Sequence, residues 1–456
     1  MMQVLSLMEY PDLLKDENIS KTKELFPPDA IDRAKEMYTY IVSVGAYSVS
    51  KGIDIIRRHV AEYIKARDGY DADVEDIYLT SGASQGVNYL LQIAISSPNA
   101  GIMIPIPQYP LYSATIALLG GKQVDYFLDE QSNWSLKVED LESSFQKAKK
   151  EGINIKAIAV INPGNPTGAC LPEETIAEIL RFCGREGVIC LADEVYQTNI
   201  FDHDARPFIS FKKTLRDLQK NGECMSNELV SFHSTSKGMI GECGQRGGYF
   251  ELVGIDPKVK EQIYKLASIN LCPPVIGQML VDLMVKPPKE GDYSYEKYTE
   301  EHNAIDQSLY ERAKNLKLAF SKMEGLECQD AHVRKTFANI IYIYIYIYIF
   351  FFFLYIYFFY IFFFIIFAKQ NQGAMYLFPK IKLPPKAMEA AKKEGRSPDE
   401  FYCMKMLEMA GVATVPGSGF GQKEDELHFR TTFLAPGNEA ADKLVKFHEE
   451  FMKMYK

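Results

Sequence analysis

The chain has 456 residues, of which 47% are hydrophobic and 24% charged, and its formal net charge is −9. This composition is typical of a globular protein, and the negative charge disfavours a broad nucleic-acid-binding surface. The length predicts two or three domains.

Predicted helices and short apolar strands alternate along the first half of the chain. A helix is predicted at 52–67, because apolar side chains recur there at helical spacing. Further helices are predicted after residue 84 and at 173–186. Strands are predicted at 77–80, 102–106, 124–128, 157–161, 188–192 and 229–232. This alternation predicts an α/β fold with a mostly parallel sheet covered by helices.

Dense polar clusters follow three of these strands. They are Asn162–Gly168, Asp193–Tyr196 and His233–Gly238. In open α/β sheets, ligands bind beyond the carboxyl ends of the strands. We therefore expect all three clusters to line one crevice.

The C-terminal part of the chain has a different pattern. A long polar helix is predicted at 296–324, a helix at 400–411 and a final helix at 436–455. Between them lie Gly373–Phe378, a glycine-rich segment at 416–421, and His428-Phe429-Arg430. This order predicts a second, smaller domain.

The cluster ending in Ser236-Lys237-Gly238 suggests a lysine that faces a polar cleft, where its amine can form a Schiff base. A lysine-bound pyridoxal 5'-phosphate (PLP) needs a carboxylate at its ring nitrogen, donors at its ring oxygen, an aromatic stacking partner and an anion site. Candidates for each are present in the sequence. The glycine-containing turn at 81–84 opens a predicted helix, which is a phosphate site in its own right.

Ten sequence runs, spread along the chain, carry a resemblance to a known family. The chain resembles fold-type I PLP-dependent aminotransferases of class I/II, and among them the alanine aminotransferase family. This resemblance implies a seven-stranded, mostly parallel sheet with helices on both faces and a smaller α+β domain. The runs are 45–48, 81–84, 104–112, 162–168, 192–197, 231–249, 271–277, 373–379, 416–422 and 428–434.

The resemblance implies roles for residues around the cofactor ring. Lys237 is the catalytic lysine and proton shuttle, and Asp193 pairs with the ring nitrogen. Asn165 and Tyr196 bond the ring oxygen, and Tyr109 stacks on the ring. Each could instead be structural: a surface lysine, a solvated carboxylate, a turn or packed aromatic side chains.

The resemblance also assigns phosphate and substrate contacts. Arg430 binds the substrate α-carboxylate, a role that its planar guanidinium suits, and Asn165 is a further substrate contact. Tyr47 reaches the phosphate of a neighbouring subunit, which implies a homodimer. Tyr47 could instead be a packed loop residue, Arg246 and Arg430 could be surface ion pairs, and the turn at 81–84 could be a simple N-cap. The phosphate ligands within the subunit are Ala83, Ser84, Ser234, Ser236 and Arg246.

The implied reaction is L-alanine + 2-oxoglutarate to pyruvate + L-glutamate, by a ping-pong route through pyridoxamine phosphate. Another fold-type I enzyme, such as a glutamate–glyoxylate aminotransferase or a lyase, stays open. No metal site is expected, because the eight cysteines form no Cys-x-x-Cys pair and lie at no zinc-finger spacing. The N-terminus shows no secretory signal or transit peptide. A cytoplasmic location is expected, or a mitochondrial one if an N-terminal arm usual in the family is missing.

A segment of about 39 residues, 332–370, departs from the family pattern. Residues 340–367 contain only 10 Phe, 7 Tyr, 10 Ile and 1 Leu. Such a run is long enough for a membrane span, and it also fits an aggregation-prone strand. Tyr, Ile and Phe have codons made only of A and T, so we favour translation of a retained intron over a span or a genuine insertion. The expected domains are 46–300 (large) and 1–45 with 301–456 (small), and a chain that contains the segment is expected to fold poorly.

Overall fold

The computed structural model describes residues 1–200, 207–328, 330–331, 370–371, 373–435, 437 and 439–456. The predicted insertion at 332–370 lies outside the described residues except for residue 370. Within the described ranges, no helix is long and apolar enough to span a membrane.

Seven strands form the central sheet in the order β1-β7-β6-β5-β4-β2-β3. Strand β7 runs antiparallel to both of its neighbours, and the other pairs are parallel. The predicted mostly parallel α/β sheet is therefore confirmed. The strands are β1 (Ile77–Thr80), β2 (Ala100–Ile106), β3 (Lys122–Phe127), β4 (Asn154–Ile161), β5 (Ile189–Asp193), β6 (Leu229–Ser234) and β7 (Gly248–Val253).

Helices cover both faces of this sheet. Alternate side chains of a strand point to opposite faces, and β4 shows the result. Its Ala157 and Ala159 pack in one apolar cluster with the helices at 83–94 and 111–118. Ile158 and Val160 pack in another cluster with the helices at 138–150 and 173–186. The helices are α4 (Asp54–Asp68), α5 (Ala83–Ala94), α6 (Leu111–Leu118), α7 (Val138–Lys150), α8 (Glu173–Glu186), α9 (Phe211–Lys220), α10 (Pro257–Ile269) and α11 (Val275–Val285).

Helix α8 shows how the sequence sets these elements. Acidic Glu173 and Glu174 occupy its first turn and Arg185 its last, as the helix dipole favours. Gly187 ends the helix with a left-handed φ of 67°, a conformation that glycine adopts without strain. Its buried face includes Ile176, Ile179, Leu180 and Cys183.

The N-terminal helices pack on the large sheet domain. They are α1 (Met2–Glu9), α2 (Ile19–Leu25) and α3 (Pro28–Tyr40). Leu7 and Ile31 share an apolar cluster with Ile56 of α4 and Met279 of α11. The expected assignment of residues 1–45 to the small domain remains a prediction.

The C-terminal elements surround a separate apolar cluster that includes Phe320, Tyr402 and Phe451. Strands β11, β14 and β13 form an antiparallel sheet, β8 pairs with β12, and β9 pairs with β10. The elements are α12 (Tyr295–Phe320), β8 (Leu326–Glu327), β9 (Asp330–Ala331), β10 (Gln370–Asn371), β11 (Tyr376–Leu377), β12 (Lys380–Ile381), α13 (Pro385–Lys393), α14 (Pro398–Ala410), β13 (Val415–Pro416), β14 (Phe429–Thr432) and α15 (Glu439–Tyr455).

Candidate active site

The polar clusters after β4, β5 and β6 lie side by side, as predicted. In the sheet register, Ile161 of β4 pairs with Asp193 of β5, and Asp193 pairs with Phe232 of β6. Asn165, Asp193 and Lys237 are therefore brought to one edge of the sheet. The small domain closes this edge from the other side, because Arg430 of β14 donates to the Asn165 side-chain oxygen at 3.2 Å.

Asp193 is a buried carboxyl group in this crevice. Burial raises its pKa to about 6, although a hydrogen bond from the Tyr112 hydroxyl at 3.1 Å, the backbone amide of Val195 and the charge of Lys237 act to lower it. A cation placed against this carboxylate would supply the counter-charge that burial makes favourable. The site is therefore suited to a protonated ring nitrogen.

Lys237 points toward two tyrosines. Its Nζ donates to the Tyr376 hydroxyl at 3.1 Å and lies 5.4 Å from the centroid of the Tyr196 ring. The Tyr196 hydroxyl in turn accepts a hydrogen bond from the Asn165 amide at 3.3 Å. The predicted residues Lys237, Asn165 and Tyr196 are thus brought together, and Tyr376 of the small domain joins them at Lys237.

Arg430 lies against two aromatic rings. Its guanidinium carbon is 4.2 Å from the centroid of Tyr376 and 5.0 Å from that of Phe420. Cation–π contacts of this kind hold a guanidinium in place. A fixed, planar fork is the group best suited to a carboxylate.

The start of α5 and the loop before β7 form a candidate anion site. Arg246 donates to the Ser81 carbonyl oxygen at 2.8 Å and to the Ser84 hydroxyl at 3.4 Å. A Cβ added at Gly82 would lie 2.5 Å from Arg246 Nη2, so the guanidinium would have to move, and the φ of 88° there also favours glycine. A cleft of about 420 Å³ borders Ser81, Ser84 and Arg246. The unpaired amides at a helix N-terminus favour a phosphate there.

Two serines of the predicted phosphate site lie after β6. The Ser234 hydroxyl donates to the Ser236 hydroxyl at 2.9 Å and also contacts the Gly247 carbonyl oxygen at 3.1 Å. Gly247 follows Arg246, so these serines are tied to the loop that carries the arginine.

Tyr109 and Tyr47 lie toward the surface. Tyr109 is 44% exposed, and it follows Gln108, whose backbone amide donates to the Phe420 carbonyl oxygen. Tyr47 is 81% exposed. Both roles expected for these tyrosines remain predictions.

Sequence reasoning missed four residues that shape the site. Tyr112 holds Asp193, Tyr376 holds Lys237, and Phe420 supports Arg430. The Asn199 side chain accepts the backbone amide of Gly238, next to the lysine. Three of them fall within or next to runs that carried the resemblance, but a run does not show which side chain contacts which.

The site combines a lysine near a buried carboxylate, a candidate anion site at a helix N-terminus and an arginine from the small domain. Such a combination is typical of an α/β enzyme that binds a carboxylate substrate and a phosphorylated cofactor. The aminotransferase class I and II family matches residues 16–334, and the chain belongs to this family.

Several characterised or named proteins are similar over nearly the full chain. The probable mitochondrial alanine aminotransferase of Dictyostelium discoideum is 46% identical, and the alignment covers 100% of this chain and 77% of that protein. Glutamate–glyoxylate aminotransferase 2 of Arabidopsis thaliana is 47% identical, with coverage of 99% and 86%. The solved alanine aminotransferase of Pyrococcus furiosus superposes with a TM-score of 0.68 at 25% identity, covering 93% of this chain and 89% of that one.

The cofactor of this enzyme is PLP, and the described residues fit it. The buried Asp193 lacks a full counter-charge, which a ring nitrogen would provide. The close approach of Arg246 to Gly82 forms an anion site at the start of α5. Within the described residues, no group of three or more His, Cys, Asp or Glu side chains could hold a metal ion.

Proposed function

We propose that this enzyme transfers the amino group of L-alanine to 2-oxoglutarate, giving pyruvate and L-glutamate. The observation that carries this proposal is the meeting of Lys237 and Arg430 at one tyrosine ring, beside Asn165. A proton-transfer amine and a carboxylate-binding guanidinium are thereby held beside the same tyrosine side chain. Relatives named for alanine transamination, 46% and 47% identical, support the choice of substrate.

We assign the steps of the reaction to particular side chains. Bound PLP supplies an electron sink that makes the substrate α-proton acidic. Lys237 Nζ takes this proton and returns one at the other end of the transfer. With PLP bound, Asp193 would hold the proton at the ring nitrogen, Asn165 and Tyr196 would turn to donate to the ring oxygen, and Tyr109 would cover the ring.

Charged and polar groups bind the carboxylate of the substrate and the phosphate of the cofactor. Arg430 binds the α-carboxylate that alanine and 2-oxoglutarate share, and the aromatic rings beside it exclude water from that contact. The phosphate is held by the backbone amides of Ala83 and Ser84, the side chains of Ser234 and Ser236, and Arg246.

A second amino acceptor is supported by the comparisons. Two glutamate–glyoxylate aminotransferases of Arabidopsis thaliana are 47% and 46% identical to the chain, as similar as the alanine aminotransferases. Glyoxylate carries the same carboxylate for Arg430, so the described contacts accommodate it. Turnover rates with glyoxylate and with 2-oxoglutarate therefore have to decide which acceptor is preferred.

Purified protein with added PLP tests the proposal directly. We expect pyruvate from alanine and 2-oxoglutarate in a lactate dehydrogenase-coupled assay, and we would compare it with glycine formed from glutamate and glyoxylate. Lys237→Ala should abolish both activities, whereas the surface change Lys322→Ala should leave them intact. Absence of both products, or full turnover by Lys237→Ala, would refute the assignment.

We also infer that the enzyme acts as a homodimer. Exposed apolar side chains surround the candidate phosphate site: Tyr47, Leu118 and Leu271 are 81%, 84% and 53% exposed. The loop of Tyr47 adjoins this region, because the Ser48 amide contacts Cys272. A partner copy would cover these side chains. Light scattering should give twice the chain mass, and Leu271→Glu should reduce that mass; a monomeric wild type would contradict the inference.

The names of two relatives bear on the cellular compartment of this enzyme. Relatives from Dictyostelium discoideum and Saccharomyces cerevisiae are named as mitochondrial. We propose a cytoplasmic or mitochondrial location. Fractionation of the source cells with an antibody against the protein distinguishes the two.

We propose that residues 332–370 arise from a retained intron. The pairing of β9 with β10 supports this, because it places Ala331 and Asn371, which border the segment, opposite each other. Because the two strands run parallel, joining these residues would require a local rearrangement of the pair. Transcripts that contain the corresponding sequence at normal abundance would contradict this proposal.

A further inference from the structure

Tyr376 touches both cationic groups of the proposed reaction. Its hydroxyl accepts from Lys237 Nζ at 3.1 Å, and its ring lies 4.2 Å from the guanidinium carbon of Arg430. The side chain is 8% exposed, and β11 is paired with β14, the strand of Arg430. The tyrosine is therefore fixed by the sheet that also fixes the arginine.

A continuous chain of hydrogen bonds passes through this hydroxyl. Arg430 donates to the Asn165 side-chain oxygen at 3.2 Å, and the Asn165 amide donates to the Tyr196 hydroxyl at 3.3 Å. Tyr196 then donates to Tyr376, whose oxygen also receives the bond from Lys237. An oxygen that accepts two hydrogen bonds beside two cations is suited to carry negative charge.

We propose that Tyr376 is a positioning residue: its hydroxyl oxygen holds the free amine of Lys237, and its ring holds the guanidinium of Arg430. The two functions belong to separate parts of one side chain. The proposal rests on the roles given above to Lys237 and Arg430, and it adds a residue through which the two are coupled.

The electrostatic surroundings of the hydroxyl agree with this role. Burial acts to raise the pKa of Tyr376, but the charge of Lys237, the hydrogen bond from Tyr196 and the charge of Arg430 outweigh it, so the pKa lies below the ordinary value. A proton that crosses from a Lys237 ammonium to a Tyr376 phenolate would leave a neutral amine and a neutral phenol. No other reactant is required.

Two substitutions separate the hydroxyl from the ring. Tyr376→Phe removes the acceptor and keeps the ring, so we expect kcat to fall about tenfold or more with little change in KM. Tyr376→Leu removes both, so KM for alanine and 2-oxoglutarate should rise as well. Tyr402→Phe is the matched control, because Tyr402 is buried in the small domain and its hydroxyl bonds His448 instead. A rise in KM alone for Tyr376→Phe would overturn the proposal.

A measurement on the protein without PLP gives an independent readout. At a fixed pH, an amine-reactive reagent should label Lys237 faster in Tyr376→Phe, because the amine no longer donates to the Tyr376 hydroxyl. Mass spectrometry of the Lys237 peptide measures the labelling rate. An unchanged rate in a folded variant would overturn the proposal.

The reciprocal variant covers the case in which Tyr376→Phe does not fold. In wild-type protein, ultraviolet difference spectra should show one tyrosine that ionises below its ordinary pKa, and Lys237→Ala should move that ionisation to higher pH. No such movement would overturn the proposal. If Lys237→Ala retains turnover, the proposed function fails; if it is inactive while Tyr376→Phe behaves as wild type, only the role of Tyr376 fails.

Discussion

Asp193→Asn should make the PLP-free protein more stable while weakening cofactor binding. Burial raises the pKa of Asp193 from 3.8 to about 6 in the folded chain. A carboxyl whose folded pKa is raised favours folding at low pH, and that contribution is lost as the pH rises through the folded pKa. A rise of about two in pKa, at ~1.4 kcal/mol each, corresponds to about 3 kcal/mol.

The uncharged amide of the variant does not ionise, so it avoids this loss of stability at high pH. Its oxygen can still accept from the Tyr112 hydroxyl or from the Val195 amide. At pH 7.5 we therefore expect the PLP-free variant to be more stable than wild type by up to about 3 kcal/mol. At pH 4, where the wild-type carboxyl is largely protonated, the two proteins should be nearly equal.

Urea unfolding of both PLP-free proteins at pH 4, 6 and 7.5 measures the difference. The exposed substitution Asp125→Asn controls for changes in net charge. The variant should also bind PLP more weakly at pH 7.5, because the ring nitrogen loses its counter-charge. A variant less stable than wild type at pH 7.5, or a stability difference independent of pH, would refute the reasoning.

Three further outcomes follow from the structure. Lys212→Met should destabilise the protein by about 3–5 kcal/mol in urea unfolding, because Glu251, its buried ion-pair partner, is left without a counter-charge; adding Glu251→Leu should restore most of the loss, and a loss below 1 kcal/mol would contradict this. Gly82→Ala should weaken PLP binding, since the new Cβ would displace Arg246, and unchanged affinity in a fluorescence titration would argue against the anion site. Deletion of 332–370 should preserve PLP binding, measured by absorbance, because Ala331 and Asn371 are paired residues about 5 Å apart that a local rearrangement can join; loss of binding in a folded product would contradict the retained-intron proposal.

The sheet was predictable from the sequence because its strands are short, apolar and followed by polar clusters. Predicted strand 157–161 lies within β4, and predicted 229–232 within β6. The antiparallel strand β7 was missed, because Gly248–Val253 has no distinctive pattern and its direction depends on pairing with β1 and β6.

The site was only partly predictable for a related reason. Asn165, Asp193 and Lys237 follow adjacent strands, so the order of the strands brings them together. Tyr376 comes from a different domain, 139 residues after Lys237. Its contact depends on how the two domains close on each other, which periodicity does not encode.

The neighbouring carboxyl groups of Asp193 and Glu194 link cofactor binding to the stability of the fold. Asp193 faces the crevice, whereas Glu194 accepts the backbone amide of Phe211 at the start of α9. Burial raises the pKa of Glu194 to about 7, even with the charge of Arg67 acting to lower it. A negatively charged carboxylate is therefore unfavourable at this edge of the sheet. The positive charge of a PLP pyridinium would offset the unfavourable burial of the Asp193 carboxylate. A ligand that binds only the folded state also adds stability by mass action. Because Asp193 is protonated below about pH 6 in the PLP-free protein, cofactor affinity should fall as the pH drops through that value, and the stability added by PLP should fall with it.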